Sequence, residues 1–112
     1  MSHRVIPVVV VALAGAAGLW FPACGVAAGP PAKHTVTIEA TSYKPETITV
    51  KKGESVTWVN KDPFPHTATA EGTFDSKSVA AGHSWSYVAS KTGEFAYVCT
   101  LHPGMKGTLV VR

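Results

Sequence analysis

Cysteine is nearly missing from this sequence: 112 residues hold two, Cys24 and Cys99. One pair cannot build the dense disulfide framework that staples many small secreted domains. Charge is also sparse, at 15% of residues, and the formal net charge is only +3, with basic residues scattered along the chain. That excludes a nucleic-acid interface, which needs a basic patch or stripe. No long helical period, internal repeat or low-complexity tract is present. Helical bundles and repeat solenoids are excluded with them.

What is present starts with a leader. Arg4 precedes an apolar run from Val5 to Ala17 that continues through Trp20 and Phe21, and small residues follow from Gly25 to Gly29. A charged start, an apolar middle and a small-residue end form the pattern of a secretory signal peptide. Val26 and Ala28 fall at the −3 and −1 positions of a cut after Ala28, so residues 1–28 are expected to leave and the mature chain to begin at Gly29. The expected location is the periplasm or another exported compartment. Two alternatives share these residues. The apolar run is about long enough to stay as a membrane anchor. Cys24 is a possible lipidation site, although Phe21-Pro22-Ala23 fits the Leu-rich signal for that processing poorly. The leader pattern favours cleavage, with no permanent anchor. Loss of Arg4 then lowers the net charge by one and leaves Cys99 as the sole thiol. A lone thiol in a compartment where thiols pair needs a reason: inert burial, a bridge to a partner, or a metal.

Residues 29–33, Gly-Pro-Pro-Ala-Lys, read as a flexible leader. From His34 to Arg112 the chain reads as one small domain of short β-runs. Val36 and Ile38 alternate in the first, Ile48 and Val50 in the next, and Val56 and Trp58 after a turn at Lys52-Gly53-Glu54. Asn60-Lys61-Asp62-Pro63 ends the Trp58 strand. Trp85 and Tyr87 share a face in Ser84–Val88, and Phe95, Tyr97 and Cys99 share one in Glu94–Cys99. Thr108 to Val111 closes the set, and a short helix or turn has room in 72–82. Short strands with turn signals between them predict an all-β sandwich or barrel. An immunoglobulin-like interaction module fits that pattern equally well, so side chains at special places must decide.

The deciding stretch is Cys99-Thr-Leu-His102-Pro-Gly-Met105, between the last two strands. A thiolate, an imidazole and a thioether lie within seven positions of one loop, which Pro103 and Gly104 bend. A fourth ligand must come from elsewhere, and His66, in Pro63-Phe-Pro-His66-Thr after the Trp58 strand, is the candidate. Two imidazoles, a thiolate and a weak thioether make the trigonal site of blue copper proteins. Structural zinc sites use Cys and His, and methionine is out of place there. The metal set is therefore His66, Cys99, His102 and Met105, holding one copper ion that cycles between Cu(I) and Cu(II). The plain alternative is Cys99 and Met105 as core filler with two surface histidines, which leaves the convergence unexplained.

On these motifs the chain resembles a cupredoxin, a type 1 blue copper protein of the amicyanin or plastocyanin kind, over roughly residues 35–112. Tyr43-Lys-Pro45, Ile48-Thr-Val50 through Val56-Thr-Trp58-Val-Asn60, Pro65-His66 and the Cys99 loop carry the likeness. The short step from His102 to Met105 is similar to that of amicyanins. The resemblance implies an eight-stranded Greek-key β-sandwich with copper at one end, His66, Cys99 and His102 as strong ligands, Met105 as the weak axial one and the Pro65 carbonyl on the opposite side. Many members carry Asn after the first ligand histidine, where its hydrogen bonds tie the ligand loops together. Thr67 stands here, with a hydroxyl available for a similar tie.

The function expected is a single-electron shuttle between transient donor and acceptor proteins, acting as a monomer without catalysis of its own. Oxidases and nitrite reductases of this fold use further copper centres with extra histidine clusters, and this chain has no His-x-His pair. A copper carrier using the same ligands is the alternative. His83, among turn formers, and His34 are expected at the surface, and Lys51-Lys52 in a solvated turn. Trp58, Phe74, Trp85, Phe95 and Tyr97 are expected in the core.

Overall fold

The computed structural model describes residues 29–112; the leader expected over 1–28 lies outside the described residues. Alternation of apolar and polar side chains lets each short run bury one face. β1 (Lys33–Glu39), β3 (Thr47–Val50), β4 (Ser55–Asn60), β7 (Ser84–Val88), β8 (Gly93–Val98) and β9 (Lys106–Val111) are the expected strands, shifted at their ends by up to two residues. Three short strands join them: β2 (Ser42–Lys44), β5 (Thr69–Ala70) and β6 (Phe74–Asp75). Among the described residues the count is thus nine rather than eight, with β5 and β6 only two residues long each.

The strands form two sheets, in the orders β2-β1-β4-β7 and β3-β9-β8-β5-β6. Most neighbours are antiparallel, but β1 pairs with β4 and β3 with β9 in parallel. Val36, Ile38, Val56 and Trp58 of the first sheet and Val50, Tyr97, Leu109 and Val111 of the second are buried together, which makes the chain an all-β sandwich. Residues 72–82 hold no helix. They contain β6, a bridge from Val79 to His66, and a turn at Ala81-Gly82. Among the described residues no helix is long and apolar enough to cross a membrane.

An aromatic cluster fills the middle. Tyr97 meets Tyr43 edge-on at 4.6 Å between ring centres and Trp58 at 5.4 Å, and Trp58 lies 5.3 Å from Phe74 and 5.7 Å from Trp85. Edge-to-face contacts at such distances add to the burial energy. The Tyr97 hydroxyl and the Trp58 indole nitrogen are buried without hydrogen-bond partners. Burial pushes the Tyr97 phenol up to about 12; the nearby Trp58 N–H pulls the other way, although its geometry falls short of a bond, and the Glu46 carboxylate adds to the rise. A raised phenol pKa means stability that is complete below about 10 and lost as pH rises through about 12, a span of about 3 kcal/mol. Tyr97→Phe should flatten that alkaline fall. At neutral pH it should also stabilise the fold by about 1 kcal/mol, since it removes a buried donor that has no acceptor. Urea unfolding at several pH values measures both.

Candidate metal centre

Cys99 directly follows β8, and the loop behind it is closed by its own backbone: Cys99 N–H donates to Met105 O at 3.1 Å, and Met105 N–H to His102 O at 3.2 Å. Gly104 sits at φ +92, a conformation that glycine adopts without strain. This short circuit turns the loop back on itself. His66 arrives from the other side, on the connection between β4 and β5. A two-way backbone bridge to Val79, at 3.1 and 2.8 Å, fixes its position.

The three side chains meet. Cys99 Sγ lies 3.6 Å from His66 Nδ1 and 3.6 Å from His102 Nδ1. One donor atom from each of the three lies within 4.8 Å of the others, close enough to share one ion. His66 is fully enclosed, Cys99 and Met105 are buried, and His102 is half-buried. The donors are a thiolate sulfur and two imidazole nitrogens, with the Met105 thioether buried on the same loop. No carboxylate belongs to the cluster. That soft, mixed S/N set fits copper better than a hard cation.

Thr67 shows what replaces the family's asparagine. Its hydroxyl accepts the Thr100 N–H at 2.9 Å and lies 3.2 Å from the Thr100 hydroxyl, so it ties the His66 segment to the Cys99 loop as the sequence suggested. Thr69 donates to the same oxygen at 3.0 Å. The Thr67 backbone N–H points at Cys99 Sγ at 3.3 Å, where it stabilises negative charge on sulfur. The Tyr43 hydroxyl donates to Thr67 O, anchoring this peptide from the core. Burial pushes the Tyr43 phenol far above its ordinary range, with Cys99 adding to it, so it stays a donor.

Two residues of the stretch that ends the Trp58 strand, neither read as part of the site, also reach it. Asp62 Oδ2 accepts from His66 Nε2 at 2.7 Å. Burial works to raise the Asp62 pKa, but hydrogen bonds from Thr41, His66 and Ala40 outweigh it and hold the carboxyl below its usual value. Asn60 spreads its amide to Phe64 O and Val79 O, each at 2.9 Å, and accepts Asp62 N–H at 2.9 Å. An acid four residues before a ligand histidine was the available signal for Asp62. Of the other histidines, His83 is exposed in its turn, and His34 pairs with Glu54 at 3.0 Å.

The rim of the site is apolar. Phe64 is 40% exposed and Leu101 48% exposed. The Phe64 ring lies 5.2 Å from that of His66 and 5.4 Å from that of His102. Pro63, Pro65 and Pro103 are exposed beside them.

A two-sheet sandwich with a His, Cys and His cluster at one end defines a class of metal-binding domain, and sequence comparison narrows it. The profile of the Cupredoxin-like domain matches residues 9–111. The chain belongs to the cupredoxin family. It is 32% identical to amicyanin of Paracoccus versutus over 83 residues, which cover 69% of this chain and 63% of that protein. It is 36% identical to plastocyanin of Scenedesmus fuscus over 84 residues, covering 62% of this chain and 86% of that protein. The chain therefore spans less than two-thirds of the Paracoccus amicyanin. Among solved structures, a Cu(I) form of an amicyanin variant superposes with a TM-score of 0.67 at 26% identity, covering 79% of this chain and 88% of that one. A copper-containing nitrite reductase of Thermus scotoductus gives 0.69 at 27% identity, covering 76% of this chain but only 23% of the enzyme.

Proposed function

We propose that this chain is an exported electron carrier that holds one copper ion through His66 Nδ1, Cys99 Sγ, His102 Nδ1 and the Met105 thioether. The observation that carries this reading is the meeting of Cys99 Sγ with two Nδ1 atoms at 3.6 Å inside a site whose sulfur also receives a backbone N–H. Bound copper supplies a one-electron couple. The residues supply the rest. The sandwich and the Thr67–Thr100 tie hold the ligands in one geometry, so little has to move when an electron arrives. Burial of His66, Cys99 and Met105 excludes water from the metal side. The reading has the chain carry electrons and perform no catalysis, in keeping with its amicyanin and plastocyanin relatives. Visible spectroscopy with cyclic voltammetry on the copper-loaded chain tests it: an intense band and a reversible couple are expected. A copper carrier would instead lose its metal readily to a chelator and show no stable couple.

His102 turns Nδ1 toward Cys99 Sγ and is only half-buried, its ring lying beside that of Phe64, with Leu101 exposed next to it in the chain. That apolar rim is suited to brief docking, because redox partners bury little surface and must part. Leu101→Lys or Phe64→Lys should therefore slow electron exchange at least about tenfold, a barrier of about 1.4 kcal/mol, with colour and potential unchanged. Self-exchange read from NMR line broadening checks this without a partner. Equal rates in both variants would place the exit elsewhere.

Met105 is assigned the weak axial role. Met105→Leu should keep copper and raise the potential, because an apolar group favours the lower charge. Met105→Gln should lower it, because an amide oxygen favours Cu(II). Voltammetry of the pair reads opposite signs if the thioether touches the metal and no change if Met105 only packs.

A further inference from the structure

The first strand pair ends in a turn that is costly by its composition. β1 and β2 are joined by Ala40 and Thr41, both at positive φ, +52 and +56, with Glu39 paired to Ser42 around them. Two-residue hairpins of this hand favour Asn-Gly, and a β-branched threonine there is a true outlier. Such strain persists where the surroundings over-determine it, often at functional sites.

The turn aims two consecutive N–H groups at one carboxylate. Ala40 N–H donates to Asp62 Oδ1 at 2.8 Å and Thr41 N–H to Asp62 Oδ2 at 2.9 Å. Asp62 N–H is held by Asn60 Oδ1 at 2.9 Å, and the Asn60 amide holds Phe64 O and Val79 O. The carboxylate is thus fixed from the first sheet, from its own loop and from the Val79 bridge. It has one further contact, His66 Nε2 at 2.7 Å.

A carboxylate accepts and does not donate. His66 Nε2 must therefore carry a proton, and in the neutral imidazole that a metal ligand requires, Nδ1, which faces Cys99 Sγ at 3.6 Å, is the atom that presents a lone pair. We propose that Asp62, anchored by the strained Ala40-Thr41 turn, is a positioning residue that fixes the Nε2–H tautomer of His66 and so sets the redox balance of the centre. The proposal rests on His66 being a copper ligand. A carboxylate on the far nitrogen makes an imidazole a stronger donor, and outer partners of this type are worth about 10- to 100-fold in metal affinity. A stronger donor favours Cu(II) over Cu(I), so Asp62 holds the potential down. The two turn N–H groups hold in place a group that touches no metal.

Asp62→Asn is the test. Its amide can accept both turn N–H groups only by presenting them the same oxygen, and it then turns an NH2 toward His66, which favours the opposite tautomer. The full chain is measured before and after copper loading. In the unloaded wild type, nitrogen NMR should show His66 protonated at Nε2; in Asp62→Asn the Nδ1–H form should appear. After loading, the variant should lose Cu(II) affinity about tenfold relative to Cu(I), a rise in potential of about 59 mV for one electron. The double variant Ala40→Asn, Thr41→Gly keeps both N–H groups, relieves the strain, and should leave tautomer and potential as in the wild type. An Nδ1–H tautomer in the unloaded wild type, or an unchanged potential in Asp62→Asn, overturns the proposal. If the chain takes up no copper, the electron-carrier reading fails, while the tautomer in the unloaded protein still decides the role of Asp62.

Discussion

Cys99→Ser should remove the visible colour of the copper-loaded protein almost completely. The intense band of such a centre arises from charge transfer out of the thiolate, and Cys99 is the only cysteine among the described residues. A serine oxygen is harder and is protonated at neutral pH, so it offers neither the band nor the affinity for Cu(I). The fold should survive. The serine hydroxyl can take the Thr67 N–H that now points at sulfur at 3.3 Å, which limits the stability change to about 1 kcal/mol. Absorbance and paramagnetic resonance after copper titration separate loss of colour from loss of fold. Strong colour in the serine variant would show that the sulfur is not a ligand.

The second large effect lies in the core. A methyl group at Gly107 would overlap Cζ and the hydroxyl of Tyr97 and lie 2.8 Å from Cε1. The ring cannot step aside, because Tyr43 and Trp58 hold it edge-on. Either β9 or the ring must move, and both are packed. Gly107→Ala should therefore destabilise the protein by about 3 kcal/mol, at the upper end of ordinary overpacking costs. Urea unfolding checks this, with the midpoint falling and the slope unchanged. Because Met105 lies two residues upstream, a shifted β9 should also disturb the copper spectrum.

Much of this architecture was legible because a half-buried strand writes its two faces into the sequence. Val36 with Ile38, Val56 with Trp58, and Phe95, Tyr97 and Cys99 all fall on inward faces as the alternation predicts. The meeting of His66 with Cys99 and His102 was also legible, because a thiol, an imidazole and a thioether within seven positions of one loop need a reason. β5 and β6 were not legible: two residues carry no period. Tyr43 is buried from a three-residue strand whose flanking residues are both exposed, too short to alternate twice. Asp62 and Asn60 looked like strand-breaking loop residues, since loops are rich in both. Their roles come from the Ala40-Thr41 turn and Val79, which are distant in sequence and adjacent only once the sheets have packed.

The place of β9 carries a consequence for how the molecule assembles. It is the last strand in the sequence, yet it lies inside its sheet, between β3 and β8, with its partner β3 parallel and more than fifty residues upstream. Contacts of such long sequence separation form late and slowly, because the loop entropy must be overcome before they contribute. β8 and β9 pair locally, so the loop carrying Cys99, His102 and Met105 closes as a hairpin, while its approach to His66 waits on the long-range contacts that bring the two sheets together. A chain folding under these constraints completes its sandwich and its metal site in the same late step, so a metal ion is better placed to lock the finished protein than to guide its early folding.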